Sequence, residues 1–286
     1  MSLILVVLLA ATVMLVLAII LSYVLGWANE AFHVEIDPRI EAITAALPGV
    51  NCGGCGFLGC GDFAAAIVEK GEAPNKCPVG GSGTNQSICE IMGLDAVDSV
   101  PMKAMIRCIA HSKDSKKTDY IGEQTCLGAN FISGIKDCSY GCLGFGDCVK
   151  SCNYDALNIQ DGLAVVQYDS CVGCTVCTKV CPRSLITMIP FISDPMPVVA
   201  CANSDTAKEV KSACSKGCIA CKMCERKCDL YMMSNNLVTI NYEAYTADRL
   251  SDTMIAMGKC PNQTIHLVGD ITKAPIIPSE ANSEVV

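Results

Sequence analysis

The 286-residue sequence has few of the side chains on which most enzymes rely for acid–base chemistry, since it contains only three histidines. It has a single tryptophan, and aromatic residues make up 5% of the chain, which disfavours a large aromatic core. Basic residues are not in excess, because 21 Lys and Arg stand against 29 Asp and Glu for a net charge of −8. We therefore expect neither a nucleic-acid partner nor catalytic residues, and the length allows two or three small domains.

Cysteine is abundant instead, with 22 residues. Most of them lie in runs with two or three residues between neighbours, and residues that close seldom pair as disulfides within a run. Thiolates at these intervals can surround one compact inorganic core. The pattern favours iron–sulfur clusters over the two alternatives, a zinc site and a disulfide scaffold.

An uncharged apolar segment runs from Leu3 to Trp27 near the start of the chain. Its 25 residues would extend about 37 Å as a helix, enough to cross ~30 Å of hydrocarbon. A signal peptide would need a charged start and a shorter apolar stretch. Residues 1–28 are therefore predicted to form a single transmembrane anchor, with the thiol-rich remainder on the cytoplasmic side, where thiols stay reduced.

Residues 29–95 are predicted to form a small iron–sulfur module. Asp37-Pro38 is typical of a helix start, and Phe63 to Lys70 has a helical pattern. Four thiols with spacing C-x2-C-x4-C-x16-C surround glycines that let the backbone approach an inorganic core. We assign one [4Fe–4S] cluster to Cys52, Cys55, Cys60 and Cys77.

Residues 96–136 show no clear pattern and are interpreted as an irregular linker. Its basic side chains are interpreted as a solvated face: Arg107, His111, Lys113, Lys116 and Lys117.

Residues 137–192 carry the spacing of a two-cluster ferredoxin. The run Cys171-x2-Cys174-x2-Cys177-x3-Cys181-Pro182 is the bacterial ferredoxin pattern, in which the fourth Cys ligates the other cluster. The upstream run has Phe145 at the second position of that frame, and Cys138 is the nearest replacement. One predicted ligand set is Cys138, Cys142, Cys148 and Cys181, and the other is Cys171, Cys174, Cys177 and Cys152. Short strands are expected at 157–159 and 163–168.

Residues 193–272 repeat this pattern at a shift of 76 residues, with one cluster lost. Phe145 aligns with Cys221, which restores the frame, whereas the next run has become Tyr245, Asp248 and Ser251. Cys-Pro survives at Cys260, as ligand crossing predicts. We assign a fourth cluster to Cys218, Cys221, Cys224 and Cys260.

Six thiols remain after these assignments: Cys89, Cys108, Cys126, Cys201, Cys214 and Cys228. Four of them, Cys108, Cys126, Cys201 and Cys214, are candidates for a fifth cluster or a smaller metal site. The alternative is that they are free buried thiols, which pack as small apolar groups. Residues 273–286 are expected to be a flexible tail.

The combination of motifs resembles a known family. The apolar anchor, the module NCGGCGFLGC…CPVGG, the phrase CSYGCLGFGDCVKSC and the tandem ferredoxin runs are together similar to the B subunit of the Rnf complex, over roughly residues 1–270. The resemblance implies a component of a membrane-bound ferredoxin:NAD oxidoreductase that couples electron transfer to Na⁺ or H⁺ translocation. The B subunit would receive electrons from soluble ferredoxin at the cytoplasmic membrane and relay them towards membrane and flavin subunits.

The sequence itself contains no dinucleotide fingerprint, because the glycines at Gly141, Gly144 and Gly146 are interrupted by predicted ligands. The expected fold is α+β: a transmembrane helix, a four-Cys module and tandem βαββαβ ferredoxin-like domains, the last degenerate. A polyferredoxin subunit of another membrane enzyme, such as a hydrogenase or a quinone reductase, is the alternative function, and a zinc-binding anchor is a third.

A group of basic residues surrounds the ligands of the fourth cluster: Lys208, Lys211, Lys216, Lys222, Arg226 and Lys227. A soluble ferredoxin is generally acidic, so this group would steer its approach. The alternative interpretation is an ordinary solvated face.

Overall fold

The computed structural model of the chain describes residues 3–32, 37–96, 100–115, 118, 120–132 and 134–275. Helix α1 (Leu3–Ala31) has 29 residues and a length of about 43 Å. Its stretch Leu5–Ala31 has a mean hydropathy of 3.0, and none of it is buried inside the protein. By length and composition this helix is able to cross a membrane. It extends one turn beyond the predicted segment.

A small helical module follows, with helices α2 (Pro38–Ala46), α3 (Cys60–Lys70) and α4 (Gly81–Met92) and a 3-10 turn at Pro74–Lys76. The carboxylate of Asp37 caps α2 by accepting the backbone N–H of Arg39 at 2.8 Å. The helices pack on one apolar core formed by Ile43, Leu47, Phe63, Ala64, Ile67 and Ile88. This core supports the loop that carries the first three thiols of the module.

The next unit contains four strands and three short helices. In chain order these are β1 (Met102–Ile106), α5 (Cys126–Asn130), α6 (Asp147–Lys150), β2 (Leu157–Gln160), β3 (Leu163–Val166), α7 (Val176–Val180) and β4 (Ile186–Pro190). Strands β2 and β3 form an antiparallel hairpin, as expected from the sequence. Strand β1 pairs antiparallel with β4, with Met102 opposite Pro190.

The interpretation of 96–136 as an irregular linker is therefore wrong for β1. Residues 104–106 are buried, and their backbone completes a two-stranded sheet with β4. Lys116 and Lys117 of that region lie outside the described residues.

A second unit repeats the same order. It contains β5 (Met196–Val199), α8 (Ala207–Ala213), β6 (Tyr231–Ser234), β7 (Leu237–Ile240), α9 (Leu250–Met257) and β8 (Ile265–Val268), with 3-10 turns at Ala247–Arg249 and Ile271–Lys273. Strand β5 pairs with β8 and β6 with β7, which matches the pairing of the first unit. The mixed α+β class predicted from the sequence is confirmed, and the tail beyond residue 275 lies outside the described part of the chain.

Candidate metal centres

All 22 cysteines fall within the described residues, and none of them forms a disulfide. In this described part of the chain, no three His, Cys, Asp or Glu side chains come close enough to hold a single metal ion. Four thiolates on one zinc ion, with Zn–S bonds of ~2.3 Å, would lie only about 3.8 Å apart. The thiols described below are therefore grouped at spacings that suit a larger inorganic core, and both the disulfide and the zinc alternatives are disfavoured.

Site A is the group of thiols in the N-terminal module: Cys52, Cys55, Cys60 and Cys77. Three of them pack against the module's apolar core, and burial raises the pKa of Cys77 next to the sulfurs of Cys55 and Cys60. The backbone N–H of Gly80 donates to the Cys77 sulfur at 3.4 Å. The Asn51 side chain accepts the N–H of Cys60 at 2.8 Å, which fixes the loop to the start of α3.

Site B surrounds a cavity of about 370 Å³ beside β1 and α7. Its four thiols are the ones expected from ligand crossing: Cys152, Cys171, Cys174 and Cys177. The N–H of Ala104 on β1 donates to the Cys171 sulfur at 3.4 Å. Gly173 adopts φ +74° and leaves no room for a side chain, because a Cβ there would lie 2.1 Å from the Met102 carbonyl oxygen.

Site C surrounds a cavity of about 390 Å³. Its four thiols are Cys126, Cys142, Cys148 and Cys181. Three of these were predicted together, but the structure does not bring Cys138 to them. Cys138 lines a different cavity, and Cys126 stands in its place.

The position of Cys126 follows from the way residues 120–132 fold back on the unit. Thr125 caps α5 by accepting the N–H of Gly128 at 3.1 Å, and the N–H of Leu127 donates to the Asp147 carboxylate at 3.1 Å. Backbone amides of Phe145 and Asp147 face the Cys126 sulfur. No local spacing in the sequence signals this contact, because 16 residues separate Cys126 from Cys142.

Site D surrounds a cavity of about 340 Å³ in the second unit. Its four thiols are the predicted ones: Cys218, Cys221, Cys224 and Cys260. The N–H of Thr264 donates to the Cys260 sulfur at 3.4 Å, and the N–H of Leu185 donates to Cys181 at the same distance in the first unit. The two Cys-Pro turns thus support their sulfurs in the same way.

The second unit has no counterpart of site B among its described residues. Cys228 is buried there in an apolar core with Tyr231 and Tyr245. Cys89 is also buried, on α4, with its sulfur 3.7 Å from the Asn85 side-chain oxygen. Neither thiol lines a cavity shared with three others.

Burial and mutual repulsion disfavour bare thiolates at these sites. Burial, together with the neighbouring sulfurs, raises the pKa of Cys148 to about 12 and that of Cys177 to about 11. Burial raises the pKa of Cys224 to about 11. A cationic iron core would supply the charge that stabilises such thiolates.

Sites A and B lie against each other. The Lys179 ammonium group on α7 donates to the Cys52 carbonyl oxygen at 3.4 Å. A Cβ on Gly54 would lie 3.4 Å from the Cys174 carbonyl oxygen. Burial, and then the sulfurs of Cys174 and Cys52, raise the pKa of Tyr154, which lies between the two sites.

The family model described as "Putative Fe-S cluster" matches residues 47–79, which contain all four thiols of site A.

Three relatives cover most of the chain, and each is named as the B subunit of a related complex. The B subunit of the Na(+)-translocating ferredoxin:NAD(+) oxidoreductase complex of Acetobacterium woodii is 35% identical over 86% of this chain and 73% of its own length. The B subunit of the ion-translocating oxidoreductase complex of Methanosarcina acetivorans is 35% identical over 84% and 90%. The B subunit of the proton-translocating ferredoxin:NAD(+) oxidoreductase complex of Clostridium ljungdahlii is 34% identical over 90% of each chain.

Proposed function

Because this chain belongs to the family of B subunits of ion-translocating ferredoxin:NAD(+) oxidoreductase (Rnf) complexes, we propose that it carries electrons within such a complex through [4Fe–4S] clusters at sites A to D. It is a subunit of an oxidoreductase that translocates ions, and we assign no bond-breaking step to its own residues. The observation that supports the electron-carrying role best is the grouping of four thiols around each of three cavities of similar size.

The residues of sites A to D fit iron–sulfur clusters. Each site offers four thiols, and at least one sulfur of each of sites A to D receives a backbone N–H. Such hydrogen bonds stabilise negative charge on sulfur and raise the reduction potential. When bound, a [4Fe–4S] cluster takes up and releases single electrons, which needs no acid–base residue.

The ligands we propose differ from the sequence assignment at one position. Site C uses Cys126 with Cys142, Cys148 and Cys181, and Cys138 belongs elsewhere. The crossed pattern is otherwise retained, because Cys152 serves site B and Cys181 serves site C.

The contact between sites A and B supports a direction along the chain. Site A follows α1 most closely in sequence, and site B joins it through Lys179 and Gly54. We assign site A to the end facing the membrane subunits, with α1 as the anchor in the cytoplasmic membrane and the thiol-rich units on the cytoplasmic side.

Site D is where we propose that electrons from soluble ferredoxin enter the chain. Lys222 lines its cavity and is exposed, with Arg226 and Lys227 exposed on the following turn. We call these three residues the basic loop. An acidic partner would be attracted to it although the whole chain has a net charge of −8.

Rapid-mixing kinetics with the assembled complex tests this proposal. Neutralising the basic loop with Lys222→Gln, Arg226→Gln and Lys227→Gln should slow oxidation of reduced ferredoxin at least several-fold at low salt, and the difference should shrink at high salt. The matched control neutralises Lys70, Lys113 and Lys150, which are exposed elsewhere. Equal rates for both triple variants at low salt would remove the basic loop from the docking surface.

A further inference from the structure

A fourth cavity lies between the two βαββαβ units. We call it the junction cavity; its volume is about 400 Å³, close to the 340 to 390 Å³ of the cavities at sites B, C and D. Four thiols line it: Cys108, Cys138, Cys201 and Cys214. Three of them are buried, and Cys108 is half-buried.

The four thiols form two pairs at equivalent positions of the two units. Cys108 lies two residues after the end of β1, and Cys201 lies two residues after the end of β5. Cys138 precedes Cys142 by the same interval at which Cys214 precedes Cys218. Each unit therefore contributes the same two thiols to a cavity on the approximate symmetry axis that relates them.

The hydrogen bonds to the first pair of sulfurs repeat in the same way. The sulfur of Cys201 accepts the N–H of Asn203 and the N–H of Cys218, each at 3.4 Å. The sulfur of Cys108 faces the amides of Ala110 and Cys142, which are the equivalent residues of the first unit. Amides arranged around sulfur in this manner are typical of iron–sulfur ligands.

The second pair also receives N–H groups. The buried Asn203 side chain donates to the Cys138 sulfur at 3.5 Å. Backbone amides of Lys216 and Gly217 face the sulfur of Cys214. All four sulfurs of the junction cavity are thus solvated by protein donors rather than by water.

The lining also contains a buried positive charge without a partner. Lys136 is 4% exposed and lines the cavity, and within the described residues its ammonium group has no hydrogen-bond acceptor. The hydroxyl of Ser115, on the same lining, is unpartnered as well. Because an isolated buried charge costs several kcal/mol, the Lys136 ammonium requires a negative group in the cavity, and an iron–sulfur core held by four thiolates carries net negative charge.

We propose that Cys108, Cys138, Cys201 and Cys214 hold a fifth [4Fe–4S] cluster at the junction of the two units. This inference rests on the proposed function and extends it. The ligand set differs from the fifth set considered on sequence grounds, since Cys138 takes the place of Cys126.

The junction site joins sites C and D. Cys142 is a ligand of site C, and its amide faces the Cys108 sulfur; Cys218 is a ligand of site D, and its amide donates to the Cys201 sulfur. The four thiols between these two contacts connect the second unit to the first. With the junction site occupied, the thiol-lined sites run in the order A, B, C, junction, D.

Iron and acid-labile sulfide per chain, measured on the purified complex, test the proposal. This chain should contribute about twenty irons. Cys201→Ala should lower that contribution by about four while the matched control Cys228→Ala, a buried thiol outside every site, leaves it unchanged. About sixteen irons, insensitive to Cys201→Ala, would overturn the fifth site and leave the proposed function standing, whereas near-absence of iron would overturn both.

Double variants test the ligand set itself. Cys108→Ala with Cys138→Ala should lose no more iron than either single variant, because both thiols serve one site. Cys108→Ala with Cys126→Ala should lose the sum of the two single losses, because these thiols serve different sites. The reverse pattern would contradict the structural grouping. Retention of iron at the remaining sites shows that each variant still folds.

Lys136→Met gives a readout that does not depend on removing a ligand. Loss of the positive charge should move one spectroscopic component of the reduced protein to a more negative potential in a redox titration followed by electron paramagnetic resonance. Lys113→Met, an exposed lysine of the same unit, is the control and should move none. Superimposable titrations of the Lys136 and Lys113 variants would contradict the placement of a cluster beside Lys136.

Discussion

The hydroxyl group of Tyr245 lies 2.9 Å from the hydroxyl group of Ser193, at the position where the first unit has the site B ligand Cys171. Tyr245 is buried with Tyr231 and Cys228 in the core of the second unit. Aromatic side chains therefore fill the region that a second cluster would occupy, and loss of the three ligands is compensated by apolar packing.

Replacing Tyr245 with alanine should destabilise the second unit by about 3–5 kcal/mol, because it leaves a cavity in that core. Tyr245→Phe should cost only about 1 kcal/mol, since it keeps the ring and removes one hydrogen bond. Thermal unfolding followed by circular dichroism measures the difference. Both variants should keep the full iron content when folded, and loss of iron in Tyr245→Phe would show that this region does hold a cluster.

Gly173→Ala should prevent assembly of site B and lower the iron content by about four per chain. The reason is steric: a Cβ at Gly173 would lie 2.1 Å from the Met102 carbonyl oxygen, so the Cys171–Cys174 loop has to move away from β1.

Gly71→Ala is the matched control for this prediction. Gly71 has a similar φ of +66°, but no atom lies within 4 Å of the place that its Cβ would occupy. It should cost about 1–2 kcal/mol of stability from backbone strain alone and leave the iron content unchanged. Equal iron loss in both variants would mean that positive φ, not the contact with Met102, is the constraint.

Local spacing predicts ligands well when a run of thiols is unbroken. The Cys171, Cys174 and Cys177 run and the Cys218, Cys221 and Cys224 run each come together as the sequence indicates. Their partners Cys152 and Cys260 could be anticipated because ligand crossing is a property of the ferredoxin frame.

The choice between Cys126 and Cys138 could not be made from the sequence. Phe145 interrupts the frame, and spacing alone favours the nearer thiol. The outcome depends on tertiary contacts of residues 120–132, namely the bond from Leu127 to Asp147 and the packing of Tyr120 against Phe145 with ring centroids 5.4 Å apart. For the same reason β1 was missed, because its pairing with β4 spans some 80 residues.

His266 should make the stability of the second unit depend on pH. Burial lowers its pKa from 6.5 to about 4, and its Nδ1 is buried and has no hydrogen-bond partner in the described structure. Between these pH values the unfolded chain binds a proton that the folded chain does not, so stability is full above about pH 6.5 and falls as the pH drops towards 4. At pH 5.5 this effect amounts to roughly 1 kcal/mol.

His266→Leu removes the titrating group and provides the comparison. The difference in unfolding free energy between wild type and variant, measured by denaturant titration at pH 7.5 and 5.5, should change in favour of the variant on acidification. A difference that stays constant over this window would show that His266 is accessible to protons in the folded state.

Arg183 should control the alignment of site C with the junction cavity. It follows the Cys181-Pro182 turn, and its guanidinium group donates to the carbonyl oxygens of Cys138 at 3.1 Å and Gly141 at 2.6 Å and to the Asn130 side chain at 3.1 Å. These bonds join the Cys181 turn of site C, the helix that begins at Cys126, and the loop that carries Cys138.

Arg183→Lys keeps the charge but removes the planar fork, so we expect a loss of about 2–4 kcal/mol and faster release of iron to a chelator. The equivalent residue of the second unit, Asn262, makes one such bond, to the Gly217 carbonyl oxygen at 2.6 Å. Asn262→Ala should therefore cost only about 1 kcal/mol. Chelator-dependent bleaching in the visible range, followed over time, ranks the variants. An Arg183→Lys protein that bleaches no faster than Asn262→Ala would show that a single hydrogen bond suffices at each turn, and that the fork of Arg183 does not hold the two sites in register.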